Sequence, residues 1–284
     1  MNIGEILREA YGILKKVEIE SYILDSQLLL CKVLNKDKLF IMINRDFNID
    51  KQQENEFLGL IQLRKDKMPI KYILGKCEFM GMDFIVRPGV LIPRPDTEIL
   101  VEEVIKHIKE NGYIDICDVC SGSGAIGIAI AEFIKDANVS LYDISPEALA
   151  VSALNIKKFN LSVRVNEEVS DLLQVAIDQN KKFEVIVSNP PYIRQSVIPT
   201  LMEDVKNYEP VIALSGGEDG LEFYRRIAEQ SLNVLKKGGL LAFEIGYDQR
   251  EEVTNILLKS GFMAIKCIKD LSGNDRVIEA TLMD

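Results

Sequence analysis

The chain carries one histidine, His107, in 284 residues, and that scarcity excludes a good deal of chemistry. A zinc site built from histidines cannot be assembled, and a Ser-His-Asp triad would have to form around this one residue. His107 lies in a charged helical stretch and reads as a helix-surface residue. The chemistry is therefore expected to run without histidine, and no metal site is expected. Cysteine is also sparse: Cys31, Cys77, Cys117, Cys120 and Cys267 form an odd set with no framework spacing, as in a reducing compartment. Cys117 and Cys120 make a C-x-x-C, but a redox pair needs its first cysteine at a helix start. Here both fall in Ile114-Asp115-Ile116-Cys117-Asp118-Val119-Cys120, which reads as a strand and the turn after it, so both are expected to be small buried residues. No run approaches the roughly eighteen apolar residues of a membrane span. Glu5, Arg8 and Glu9 interrupt any signal-peptide core. A cytoplasmic location with no membrane partner is the expectation. Internal repeats and low-complexity tracts are missing as well.

What is present is the balance of a globular enzyme, 47% apolar and 27% charged, in a chain long enough for two domains. The charge is uneven. Residues 1–75 hold 12 Lys/Arg against 11 Asp/Glu, whereas residues 76–284 hold 22 against 33, a net of −11. Nucleic-acid affinity depends on neutralising phosphate, so this acidic body argues against a nucleic-acid partner.

Residues 1–75 show helical periodicity, as in Ile3, Ile6, Leu7 and Tyr11, or Phe57, Leu58 and Ile61. Breaks near Gly12–Val17, Asn35–Lys38 and Asn44–Asp50 predict four or five short helices. With no catalytic constellation and nearly balanced charge, this domain reads as a partner-recognition module. Residues 76–93 read as a linker, with a short hairpin over Glu78–Val86 and a proline-punctuated extended segment over Arg87–Pro95. Over residues 94–284 strands are predicted at 114–119, 138–143, 162–166, 183–188, 240–245, 262–267 and 276–282. Helices are predicted between them at 97–110, 125–136, 146–159, 219–236 and 248–260. That alternation predicts an α/β fold with a doubly wound, mostly parallel sheet and ligands at the carboxyl ends of its strands. The last two strands are joined by the short loop Lys269–Asp275, so they are expected to pair antiparallel.

After the first of these strands comes Gly122-Ser123-Gly124-Ala125-Ile126-Gly127, a G-x-G-x-x-G opening a helix, with Asp143 at the end of the next strand. Glycines let backbone approach a ligand, and the carboxylate can accept from ribose hydroxyls. Alone, this loop fits NAD and S-adenosylmethionine equally; Ser121 and Ser123 suit a ligand bearing an amino-acid tail. Asp143 could instead cap the helix starting at Pro146.

The fourth strand leads into Asn189-Pro190-Pro191-Tyr192. Asn189 precedes proline and is pushed to an extended conformation. The two prolines fix φ and offer no N–H. The Asn189 side-chain oxygen and the Pro190 carbonyl are then acceptors able to take both hydrogens of an –NH2 group, and Tyr192 offers a flat face to a planar substrate.

This tetrapeptide resembles the (Asn/Asp/Ser)-Pro-Pro-(Tyr/Phe/Trp) motif of amino-methyltransferases, which act on exocyclic base amines and on the glutamine side-chain amide. The stretch Gly89-Val90-Leu91-Ile92-Pro93-Arg94-Pro95-Asp96-Thr97-Glu98 resembles the signature of the release factor glutamine methyltransferases (the HemK/PrmC family). Tyr72-Ile73-Leu74-Gly75, Glu78-Phe79, Tyr208-Glu209-Pro210, Gly217-Glu218-Asp219-Gly220-Leu221, Glu244-Ile245-Gly246 and Asp275-Arg276-Val277 extend the match from about residue 69 to the C-terminus. The resemblance implies the class I methyltransferase fold, with a seven-stranded sheet and an N-terminal helical bundle for substrate recognition. It implies S-adenosyl-L-methionine as cofactor and class I peptide chain release factors as protein substrate, methylated at N5 of the glutamine in Gly-Gly-Gln. By position, Cys120, Ser121, Gly122, Ser123, Gly124 and Asp143 would hold the cofactor, with Asp171 and Leu172 at its adenine and Asn189 also at its edge. Asn189, Pro190, Pro191 and Tyr192 would hold the glutamine amide, Asn189 and Pro190 carrying the catalytic role. Cys120 departs from the glycine often found at its place. The alternatives are a nucleic-acid exocyclic-amine methyltransferase acting on adenine N6 or guanine N2, a nicotinamide dehydrogenase, and a non-enzymatic adaptor that binds the release factor.

Overall fold

Asn2 accepts a hydrogen bond from the Glu5 backbone while the Glu5 carboxylate accepts from the Asn2 backbone, and this capping box opens α1 (Ile3–Lys16). The same device, Asp50 with Gln53, opens α4 (Lys51–Lys65). Between them lie α2 (Tyr22–Leu34) and α3 (Lys38–Ile43), and α5 (Ile70–Leu74) follows. The break expected to begin at Gly12 begins only at Val17: Gly12 sits inside α1, where no neighbour crowds it. The computed structural model describes residues 1–283 and divides into two units. The smaller comprises Met1–Lys76 together with Met202–Tyr208. Ile3, Ile6, Leu29, Phe57 and Ile61 form its core, and a buried Arg64–Asp25 ion pair of 2.7 Å joins α4 to α2.

The larger unit begins with the hairpin β1 (Lys76–Phe79) and β2 (Met82–Ile85). Met80 and Gly81 both take positive φ in its two-residue turn, the geometry that matches strand twist. Phe79 and Phe84 lie in this unit's main core, so the hairpin is built into the unit and is more than a linker. Next come α6 (Thr97–Asn111), β3 (Asp115–Val119), α7 (Ala125–Phe133), β4 (Asn138–Asp143), α8 (Pro146–Lys158), β5 (Val165–Val169), α9 (Gln174–Asp178) and β6 (Phe183–Ser188). After α10 (Glu203–Tyr208), which belongs to the smaller unit, the larger continues with α11 (Glu222–Val234), β7 (Leu235–Glu244), α12 (Arg250–Lys259), β8 (Phe262–Lys269) and β9 (Asp275–Leu282).

Among the described residues the main sheet has seven strands in the order β5-β4-β3-β6-β7-β9-β8. Pairing is parallel except for β9, which runs antiparallel to both β7 and β8. This is the doubly wound sheet with one reversed strand that the alternation predicted. Alternate strand residues feed two apolar layers: Ile116, Val185 and Leu240 on one face, Cys117, Ile186 and Leu241 on the other. Several boundaries move. β5 starts at Val165, not 162, because Asn160 at positive φ ends α8 and a turn over Leu161–Arg164 takes up the next residues. β7 starts at Leu235, five residues before the expected 240, and an irregular register lets it pass Lys236–Gly239. The short helices α9 and α10 had no counterpart in the sequence reading.

Candidate active site

The strand order reverses at β3, which pairs with β4 on one side and β6 on the other. Ligands of doubly wound sheets bind outside the carboxyl ends of the strands at such a point. A cleft of 280 Å³ lies there, and its walls hold Cys120, Ser121, Gly122, Ser123, Asp143, Asp171, Leu172, Asn189 and Pro191. Nine of the twelve residues singled out in the sequence thus share one cavity.

The glycine-loop wall is shaped by backbone. Cys120 adopts φ 60° and Gly122 φ 56°, the left-handed region that suits glycine and strains a side chain. Cys120 therefore holds a glycine-like conformation, which explains why glycine fits that place. Its side chain packs against the apolar layer, and burial pushes its thiol pKa up. Asp143 is clamped by the loop: Oδ2 accepts from Gly122 N at 2.8 Å and Oδ1 from Ser145 N at 2.9 Å. Burial raises its pKa and these backbone donors oppose the rise. The cap of α8 is Ser145, which accepts from Ala148 N at 3.2 Å, so Asp143 is not the helix cap it could have been. Ser121 Oγ is buried and has no hydrogen-bond partner among the described residues. Gly124 is off the cleft wall. A Cβ there would lie 2.9 Å from Ile128 Cδ1 and 3.0 Å from Leu141 Cδ1, so its glycine is required by packing. Leu172, at φ 55°, turns the chain at the cleft edge, and Asp171 pairs with Arg226 at 2.6 Å.

The opposite wall is held by side chains from distant segments. Ser188 Oγ donates to the Val119 carbonyl at 2.6 Å and ties the end of β6 to β3. Asn189 Nδ2 donates to Thr97 Oγ1 at 3.2 Å, and Thr97 donates to Glu244 Oε2 at 2.5 Å. Asn189 Oδ1 and the Pro190 carbonyl have no hydrogen-bond partner among the described residues. Neither Pro190 nor Tyr192 lines the cleft. Tyr192, expected to present a face to substrate, is half-buried: its ring packs on the apolar layer and its hydroxyl donates to Glu244 Oε1 at 3.1 Å. Burial and the Glu244 charge together push its phenol pKa up. Gln249 fixes the same turn, donating to the Tyr192 carbonyl at 3.0 Å.

The sequence reading assigned no role to Thr97, Glu244 or Gln249. Thr97 and Glu244 stood inside quoted motifs, which was the available signal; Gln249 had none. The segment before α6 also supplies cleft wall through Gly89, Val90, Pro93 and Arg94, where only a linker was expected. His107 is half-buried against Tyr113, with ring centroids 5.8 Å apart, and is less exposed than a surface residue.

A sheet of this order with a ligand cleft at its switch point defines a class I methyltransferase. Residues 94–205 match the methyltransferase small domain model, and residues 5–75 match the model of the PrmC N-terminal domain. The release factor glutamine methyltransferase of Clostridium acetobutylicum is 54% identical over 99% of this chain and 98% of its own. That of Clostridium botulinum is 55% identical over 99% of each. The chain belongs to the release factor glutamine methyltransferase family. Among solved structures, a methyltransferase from Pyrococcus furiosus aligns at TM-score 0.52 and 19% identity, over 72% of this chain and 91% of that one. It shares the fold.

Proposed function

We propose that this protein uses S-adenosyl-L-methionine to methylate N5 of the glutamine in the Gly-Gly-Gln tripeptide of class I peptide chain release factors. The observation that carries the proposal is the pair of unpartnered acceptors just after β6, Asn189 Oδ1 on a residue of the cleft wall and the Pro190 carbonyl next to it in the chain. Two acceptors on adjacent residues match in number the two N–H groups of a primary amide. Close relatives carrying the release factor glutamine methyltransferase name support the substrate.

The glycine-loop wall fits the cofactor. Asp143 keeps lone pairs for ribose hydroxyls beyond the two it gives to Gly122 and Ser145. The orphaned hydroxyl of Ser121 suits the amino-acid tail, beside Cys120, Gly122 and Ser123, and Asp171 and Leu172 border the adenine. Gly124 contributes by letting α7 pack closely. When bound, the cofactor supplies a methyl group on a sulfonium, electrophilic enough that no covalent enzyme intermediate is needed. The protein supplies alignment, which can be worth roughly 7–11 kcal/mol. Asn189 and Pro190 accept from the amide and favour the positive charge that grows on nitrogen. Pro191 keeps the turn rigid, and Tyr192 anchors it from below. One amide proton then leaves to water.

The helical domain 1–75 serves recognition of the release factor, residues 76–93 connect and wall the cleft, and residues 94–284 carry the chemistry. The unframed cysteine set supports a cytoplasmic location, and the net of −11 over residues 76–284 disfavours a direct nucleic-acid partner. A competition assay with radiolabelled cofactor tests the reading, offering a purified release factor and total cellular RNA and DNA together. Label should enter the factor; label confined to nucleic acid would reject it.

A further inference from the structure

Beneath the acceptor wall lies a chain of hydrogen bonds whose direction is forced by proton count. Glu244 is 1% exposed, and its two carboxylate oxygens face two hydroxyls, Thr97 at 2.5 Å and Tyr192 at 3.1 Å. Each hydroxyl donates its single proton to the carboxyl group. Burial raises the Glu244 pKa, and the Thr97 hydroxyl, Arg276 on β9 and the Tyr192 hydroxyl oppose that rise. With its proton committed, Thr97 can only accept, and the donor it meets is Asn189 Nδ2 at 3.2 Å. The two ends of a carboxamide are nearly the same size, so packing alone does not choose between them. The hydrogen bond from Nδ2 to Thr97 does choose. It turns Oδ1 away from Thr97, and Oδ1 is the end left without a partner.

We propose that Glu244, acting through Thr97, is a positioning residue that holds Asn189 with its oxygen toward the substrate and so makes the cleft select an –NH2 donor. The inference rests on Asn189 accepting from the substrate amide, as set out above. With the carboxamide flipped, its own –NH2 would meet the incoming –NH2, donor against donor. The polarity of the site is therefore written in a buried carboxyl group that touches neither substrate nor cofactor. Thr97 and Glu244 are 147 residues apart in sequence, and the sheet brings them together.

The test uses the full chain, a release factor and S-adenosyl-L-methionine, with Thr97→Val, Thr97→Ser and Glu244→Leu. Thr97→Val keeps the shape and removes the hydroxyl. It should lower kcat on the order of 10- to 100-fold, the scale for a misaligned reacting group, while S-adenosylhomocysteine affinity changes less than about threefold. Thr97→Ser restores the hydroxyl and should bring kcat back to within about threefold of wild type. Equal losses in the valine and serine variants would overturn the proposal, because a packing role predicts that pattern. So would a folded Thr97→Val at wild-type kcat. Should Thr97→Val not fold, Glu244→Leu, which removes both acceptor oxygens, decides: a folded variant at full kcat contradicts the relay, and one with lowered kcat and intact S-adenosylhomocysteine affinity supports it. A second readout does not depend on the reaction. By NMR, the Asn189 side-chain amide protons (assigned by their loss in Asn189→Asp) should exchange slowly with solvent in wild type and rapidly in Thr97→Val. A wild type that leaves the release factor unmethylated yet shows this protection would reject the proposed substrate and leave the relay standing. Rapid exchange in wild type would reject the relay itself.

Discussion

At the glycine-loop end of the cleft, Asp118 on β3 is fully buried and accepts one backbone N–H, from Gly127 at 2.9 Å. Its other oxygen is buried without a hydrogen-bond partner among the described residues. At the acceptor end, Glu244 is almost as buried, but each of its oxygens takes a hydroxyl proton and Arg276 lies nearby. Burial drives the Asp118 carboxyl up to about 8, with one backbone donor opposing it. Burial also raises Glu244, against two hydroxyls and a guanidinium. The number of donors decides what a buried carboxyl can do. Asp118 holds its proton near neutral pH and ties the first turn of α7 to the sheet. Glu244 meets a hydroxyl donor at each oxygen and can pass an orientation outward.

Asn189→Ala breaks the acceptor end most severely. By analogy with removing one group that stabilises developing charge, kcat should fall on the order of 10²- to 10³-fold. S-adenosylhomocysteine affinity, measured by calorimetry, should hold within a few-fold. A comparable loss of cofactor affinity would mean that the two ends are not separable.

Asp143→Ala attacks the other end and should do the reverse. Losing a charged acceptor costs roughly 1.5–3 kcal/mol of binding, read as weaker S-adenosylhomocysteine affinity with the melting temperature little changed. Unchanged affinity would show that the carboxylate only braces Gly122 and Ser145. NAD should not bind in the same assay.

Gly127→Ala sharpens the structural side of the comparison. A Cβ there would lie 2.4 Å from Leu141 Cδ2 and 2.9 Å from Val139 Cγ1. Overpacking of this kind costs about 1–3 kcal/mol, so the urea midpoint should drop. An unchanged midpoint would show that α7 lifts without cost.

The last readout, a pH dependence, belongs to Asp118. Its folded pKa lies above the unfolded one, so between about pH 4 and 8 the folded state holds more protons and stability falls as pH rises. Asp118→Asn cannot titrate and should flatten that slope. Denaturation midpoints at several pH values measure it, and an unaltered slope would place the titration elsewhere.

The same comparison explains what the sequence disclosed. The glycine-loop end is local: Cys120 to Gly124 and Asp143 lie within one β-α-β unit, and glycine spacing advertises backbone geometry directly. The left-handed turn at Cys120 was hidden because cysteine does not announce positive φ. The acceptor end was half legible. Asn189 and two prolines state an unusual turn, but what holds that turn comes from Thr97, Glu244 and Gln249, whose meeting depends on the order of strands. What Tyr192 touches was hidden for the same reason: nothing beside the motif announces that its hydroxyl donates to Glu244. Sheet topology was readable because strand–helix alternation and the short Lys269–Asp275 loop constrain it, whereas β5 and β7 shifted where turns and irregular register intervened.

The central claim is that two acceptors at the end of β6 deliver a glutamine amide for methylation. Tandem mass spectrometry of a class I release factor, incubated with the wild-type protein and isotopically labelled S-adenosyl-L-methionine, tests it most directly. The account predicts one labelled methyl, on the side-chain nitrogen of the Gly-Gly-Gln glutamine, absent when Asn189→Ala replaces wild type. A labelled methyl on any other atom of the factor, or an unmodified glutamine with active enzyme present, would contradict it.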